Sequence, residues 1–145
     1  MKTELADGAA TSARGRVIRP AEVQLFEARG GEQLFRSTLN VETTGMQAIS
    51  GGWYRVAPGA TNHLDMHPDR DEFYFIHRGA ATIFMDGQAM AMAAGDTVFV
   101  PHGVDHYITA GSDEALELFY VFAPADPPHP RRQDERYPVV EFKPA

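Results

Sequence analysis

No stretch of this chain keeps apolar residues at helical spacing for three turns. From Val17 onward, short runs rich in Val, Ile, Phe, Tyr and Trp alternate with turn residues. The fold expected from that pattern is all-β. Strands are expected near residues 22–27, 33–39, 46–57, 60–67, 72–78, 80–86, 88–94, 97–100, 104–110 and 115–123, with Asp86-Gly87 as a tight hairpin turn between two of them. Strands so short and numerous close into a sandwich or barrel. A length of 145 residues suits one compact domain with a real core and is short for two. Residues 1–16 read as a flexible polar arm, 17–124 as the barrel, and 125–145 as a Pro-rich, charged tail in which Val139-Val140-Glu141-Phe142 is expected to add an edge strand.

Charge and composition remove several classes of function. A formal net charge of −7, with no basic cluster beyond Arg131-Arg132, argues against a nucleic-acid face, because phosphate backbones are bound by clustered Lys and Arg. The chain has no cysteine, which rules out disulfides, thiolate nucleophiles and Cys-type zinc sites, and leaves imidazole and carboxylate as the strong metal ligands. No apolar run approaches the roughly 20 residues of a membrane span, and the first residues lack the apolar core of a secretory signal, so no membrane partner and a cytoplasmic location are expected.

The polar residues that break the apolar pattern are grouped. In His63-Leu64-Asp65-Met66-His67, three candidate ligands occupy alternate positions, and alternate side chains of a strand share a face. After the loop Pro68-Asp69-Arg70-Asp71, Glu72 opens an aromatic strand with Tyr74 and Ile76 on its own face and Phe73, Phe75 and His77 on the other. A carboxylate there is costly to bury without a positive partner. His106, in line with Ile108 on another apolar strand, needs a partner as well. His102 in a turn and His77 on the opposite face read as surface residues, and His129 among prolines reads as solvent-exposed.

These positions resemble the cupin family. The family's first block runs Gly, His-x-His, Glu, Gly, and Gly59, His67, Glu72 and Gly79 fall on it at its spacing, with Asp65 where the first histidine would stand. Gly95, Pro101, Gly103 and His106 fall on its second block, with Ala110 in place of the final Asn. The resemblance implies a jelly-roll barrel, a double-sheet β-sandwich, whose ligands hold one divalent metal ion per subunit. Zinc is the expected ion, with iron, manganese and nickel as alternatives. His67, Glu72 and His106 are its expected ligands. Asp65 has three open roles: ligand, orienting partner of His67, or general base. His63 joins the ligands if the strand carries a bulge, and otherwise sits on the rim.

Among cupins the chain is most similar to the single-domain polyketide cyclases of bacterial aromatic polyketide pathways. That resemblance implies aldol-type cyclisation and aromatisation of a poly-β-keto chain. The ion would polarise a carbonyl or stabilise an enolate, and Asp65, Glu72 or an unligated histidine would act as base. Trp53, Tyr54, Tyr74, Met90, Met92, Ile108 and residues 118–122 are candidate pocket walls. A ferrous dioxygenase, ring-cleaving or quercetinase-like, and a non-catalytic or isomerase cupin are the alternatives. A homodimer formed through the Phe73 and Phe75 face is expected, as is transient contact with polyketide synthase proteins.

Overall fold

The computed structural model describes residues 15–126. They form nine strands: β1 (Phe26–Ala28), β2 (Gln33–Leu39), β3 (Ser50–Val56), β4 (Asp71–Arg78), β5 (Ala80–Met85), β6 (Gln88–Ala93), β7 (Thr97–Val100), β8 (His106–Ala110) and β9 (Leu116–Ala123). One antiparallel sheet has the order β1-β2-β3-β9-β4-β7 and the other β6-β5-β8, giving the two-sheet jelly roll expected from the strand pattern. Among these residues no helix is long and apolar enough to cross a membrane.

The period of two on β4 decides what faces the core. Glu72, Tyr74 and Ile76 point inward, and Phe73, Phe75 and His77 point outward. Across β9 the inward residues pair with Phe122, Tyr120 and Leu118 in turn. The inner wall therefore grades from an acid through phenols to aliphatic side chains. Ile83 and Ile108, paired across β5 and β8, close the core from the second sheet. Each such aliphatic side chain contributes about 2 kcal/mol when fully buried. On the outer face Phe73, Phe75 and Phe99 are 40%, 49% and 57% exposed, so the surface through which pairing is expected is aromatic.

β3 lies between β2 and β9, and its Gly51-Gly52 pair permits that approach. A Cβ on Gly52 would run into the backbone carbonyl of Arg36, and one on Gly51 into that of Tyr120. Gly52→Ala is therefore expected to lower stability by roughly 2–4 kcal/mol, read as a fall in thermal midpoint, because backbone must move to admit the methyl group.

Four sequence expectations change. Residues 60–67 form no strand; they make isolated bridges at Thr61 to Thr109 and Asp65 to His106. Between the bridges the Asn62 side chain accepts the Ile108 N–H at 2.7 Å, displacing the backbone acceptor that a regular ladder would use. The expected 46–57 strand starts at Ser50, and a helical turn, α1 (Val41–Thr44), precedes it, capped by Asn40 accepting from Glu42 N and Thr43 N. The 22–27 strand shrinks to Phe26–Ala28 because Pro20–Glu22 forms a 3-10 turn. Trp53 is no pocket wall, since its Nε1 donates to Glu117 Oε1 at 3.0 Å and its register partner Phe119 shares that outer face. Val121, paired with outward Phe73, lies there too. His129 and Val139–Phe142 lie outside the described residues.

Candidate metal centre

The segment 60–67 keeps its side-chain alternation without the ladder: His63, Asp65 and His67 are partly buried, while Leu64 and Met66 are exposed. Two devices place it. Asp65 and His106 exchange both backbone hydrogen bonds, each at 2.9 Å, fixing β8 against this segment. The carbonyl of His67 accepts the Gly103 N–H at 2.8 Å, tying it to the Pro101–Gly103 turn. β4 supplies Glu72 from across the barrel.

Three donors then converge. Atoms of His67, Glu72 and His106 all lie within 4.8 Å of one another. Glu72 Oε1 is 3.5 Å from His67 Nε2 and 3.3 Å from His106 Nε2. His106 Nδ1 lies 2.9 Å from the Val104 carbonyl, which can only accept, so Nδ1 carries the proton and Nε2 is left to bind. Two imidazoles and one carboxylate around a buried point form a donor set suited to zinc, manganese, iron or nickel, and the group could hold such an ion.

Electrostatics fit that use. Burial pushes the Glu72 carboxyl up, but hydrogen bonds from His106 and His67 outweigh it and hold the group below the ordinary range. Burial pushes His106 down, and its hydrogen bond to Glu72 reverses this, so His106 titrates above an ordinary imidazole. A metal-free centre is held together by these attractions.

Asp65 and His63 lie beside the trio. Asp65 Oδ2 is 3.6 Å from His63 Nε2 and 3.8 Å from His67 Nε2, and its Oδ1 accepts Met66 N–H at 2.8 Å. Burial raises the Asp65 carboxyl, but the His63 hydrogen bond, the His67 charge and the Met66 amide lower it to about 2. All five candidate residues thus gather at one place. His102 sits on the surface with its Nδ1 2.8 Å from Asp71 Oδ1, and His77 is exposed, as expected. Sequence reasoning did not assign the carbonyl of Val104 or the hydroxyl of Tyr74, which donates to Glu72 Oε1 at 3.1 Å. Tyr74's place two residues from Glu72 on the same face was the available signal.

The Cupin domain family matches residues 52–122, which contain the whole group. Oxalate decarboxylase OxdC of Bacillus subtilis is 30% identical over 109 residues, 72% of this chain, but the chain spans only 28% of that protein. A solved structure of the same decarboxylase, described with Mn(II) centres, has TM-score 0.64 at 20% identity and covers 78% of this chain and 31% of its own. Polyketide synthase CurC of Streptomyces cyaneus is 25% identical over 128 residues, 88% of this chain and 82% of its own. The structure of a predicted oxalate decarboxylase from Thermotoga maritima superposes with TM-score 0.66 at 25% identity, covering 75% of this chain and 99% of its own. With the two-sheet jelly roll, both sequence blocks and a His67, Glu72 and His106 group facing one point, this chain belongs to the cupin superfamily.

Proposed function

We propose that this protein is a metal-dependent polyketide cyclase that closes and aromatises a ring in a poly-β-keto chain. The observation that carries the reading is a base beside the ion site, the His63 and Asp65 pair at 3.6 Å, in a chain that matches Polyketide synthase CurC over most of both lengths. A divalent ion held by His67, Glu72 and His106, zinc in this reading, supplies Lewis-acid polarisation of a carbonyl oxygen. Manganese is the alternative that the decarboxylase relative favours.

The remaining chemistry belongs to the side chains. A methylene between two carbonyls is acidic and gives its proton to a nearby base. A carboxylate held to about 2 has little affinity for that proton, so Asp65 serves by orienting His63 and stabilising its charged form. His63 takes the proton, and the carbanion carbon bonds to a distant carbonyl carbon as that carbonyl's π bond breaks to an alkoxide, which takes the proton back from His63 and becomes a hydroxyl. Loss of the second hydrogen of the same methylene carbon as a proton, with protonation of the hydroxyl and cleavage of its C–O bond, releases water and forms a C=C bond, and enolisation of the ring ketones completes the aromatic ring. Glu72, held by His67, His106 and Tyr74, is not free to exchange protons and has no role as base. Tyr74, Tyr120 and Phe122 form the apolar inner wall against which such a chain would lie.

Incubated without dioxygen alongside early polyketide synthase proteins, the metal-loaded protein should yield a new dehydrated aromatic ring that is missing when the protein is left out. The same donor set is also that of ferrous oxygenases, which makes a dioxygenase the second reading. A strict need for dioxygen would replace the cyclase by that reading, and an unchanged product profile would favour a non-catalytic or isomerase cupin.

A further inference from the structure

The Tyr74 hydroxyl is buried on the inner face of β4, and it donates to Glu72 Oε1 at 3.1 Å. That one oxygen also faces His67 Nε2 at 3.5 Å and His106 Nε2 at 3.3 Å. Three groups from three parts of the chain, β4 itself, the 60–67 segment and β8, therefore converge on one atom of the carboxylate. A glutamate side chain is long and turns about several bonds, and either oxygen can lead. The two imidazoles attract the carboxylate, yet they are the groups an ion would draw to itself. The phenol is the one partner of Oε1 among these that offers no metal-binding role of its own while protonated.

We propose that Tyr74 is a positioning residue of the metal centre: its O–H fixes the orientation of the Glu72 carboxylate so that the oxygen facing His67 and His106 is in place before an ion arrives. The assignment rests on the metal-centre reading and goes beyond it, because it gives a role to a residue that touches no ion. The register explains how the contact is made. Glu72 and Tyr74 occupy alternate positions of one strand and share its inner face, and neighbours at that spacing stand about 7 Å apart, within reach of a phenol leaning back along the strand. Partners of this kind, one bond away from the ligand atoms, set ligand orientation and metal affinity in many sites.

The barrel holds its own control. Tyr54 is a second inner-wall phenol, and its hydroxyl donates to Gln33 Oε1 at 3.0 Å and accepts from Asn62 Nδ2 at 3.3 Å, with no hydrogen bond to Glu72. Removing one hydroxyl or the other keeps each ring and its packing.

The test measures Zn(II) and Mn(II) affinity of the full chain by competition with a chelating dye, and the rate of ion release to EDTA, for wild type, Tyr74→Phe and Tyr54→Phe. Melting of each metal-free protein reports the fold separately. Tyr74→Phe should bind both ions about 10–100-fold more weakly and release them faster, with a metal-free melting temperature close to wild type, while Tyr54→Phe binds as wild type does. Affinity of Tyr74→Phe within twofold of wild type overturns the assignment and leaves the metal centre standing. Equal weakening in both variants overturns it as well, since general packing would then explain the loss. A wild type that binds neither ion overturns the centre itself and this assignment with it.

Discussion

His106→Ala should cost the protein its bound ion. The purified wild type is expected to hold about one divalent ion per subunit, and the variant to hold it more than about a hundredfold less tightly, a larger loss than removal of a merely supporting partner brings. The reason is geometric as well as additive. His106 contributes an Nε2 that faces Glu72 Oε1 at 3.3 Å, and its ring is fixed by the Val104 carbonyl, so its loss removes a donor and leaves Glu72 with one imidazole in place of two. His67→Ala should act alike, because its Nε2 stands 3.5 Å from the same oxygen. Metal analysis after dialysis decides the matter, and full occupancy in both variants would remove the metal centre. Acid should release the ion too. A proton competes for the His106 nitrogen, and since His106 titrates above the ordinary ~6.5 of an imidazole, apparent affinity should begin to fall above that value as pH is lowered. Glu72, held below the ordinary range, stays anionic through this interval, so the first losses come from the imidazoles.

That the candidate ligands can be read from the sequence, while the segment carrying three of the five forms no strand, has a physical explanation. Alternation reports which way side chains point, and His63, Asp65 and His67 do point the same way. It does not report where the backbone N–H and C=O groups go. Around residue 62 the ladder is interrupted on one side: the Asn62 N–H still donates to the Ile108 carbonyl at 3.0 Å, but the Ile108 N–H goes to the Asn62 side-chain oxygen and not to a backbone carbonyl. The α1 turn is four residues long, too short to show a helical period, although Asn40 ahead of Thr43 is a capping pair that could have been read. Trp53 shows the limit of a different rule. An aromatic strand residue is not for that reason an inner wall: alternation with Tyr54 and Val56, which pair with buried Leu118 and Leu116, turns Trp53 to the outer face, where Glu117 on the neighbouring strand accepts its Nε1–H. Tyr74 was legible as an inward residue by its register with Glu72. Its hydrogen bond to the carboxylate depends on side-chain reach across one strand, which spacing alone does not give.

Asp65→Asn distinguishes the roles left open for the acid that stands where the family has a histidine. Asparagine keeps the shape and the acceptor oxygen but loses the charge. If Asp65 orients and charges up His63, the variant should retain its ion and lose roughly 10²–10⁴-fold in turnover, since the imidazolium formed on taking the substrate proton is no longer stabilised. His63→Gln should lose a similar factor for the same reason. Because the two side chains, 3.6 Å apart, act as one base, the double variant should be hardly worse than either single one, whereas independent roles would multiply the losses. A ligand role gives another pattern: Asp65 Oδ2 lies 3.8 Å from His67 Nε2, and an ion held partly by it would leave along with activity in Asp65→Asn while remaining in His63→Gln. Metal content and turnover measured together on the three variants separate these cases, and an active, fully metallated Asp65→Asn protein would exclude Asp65 from both.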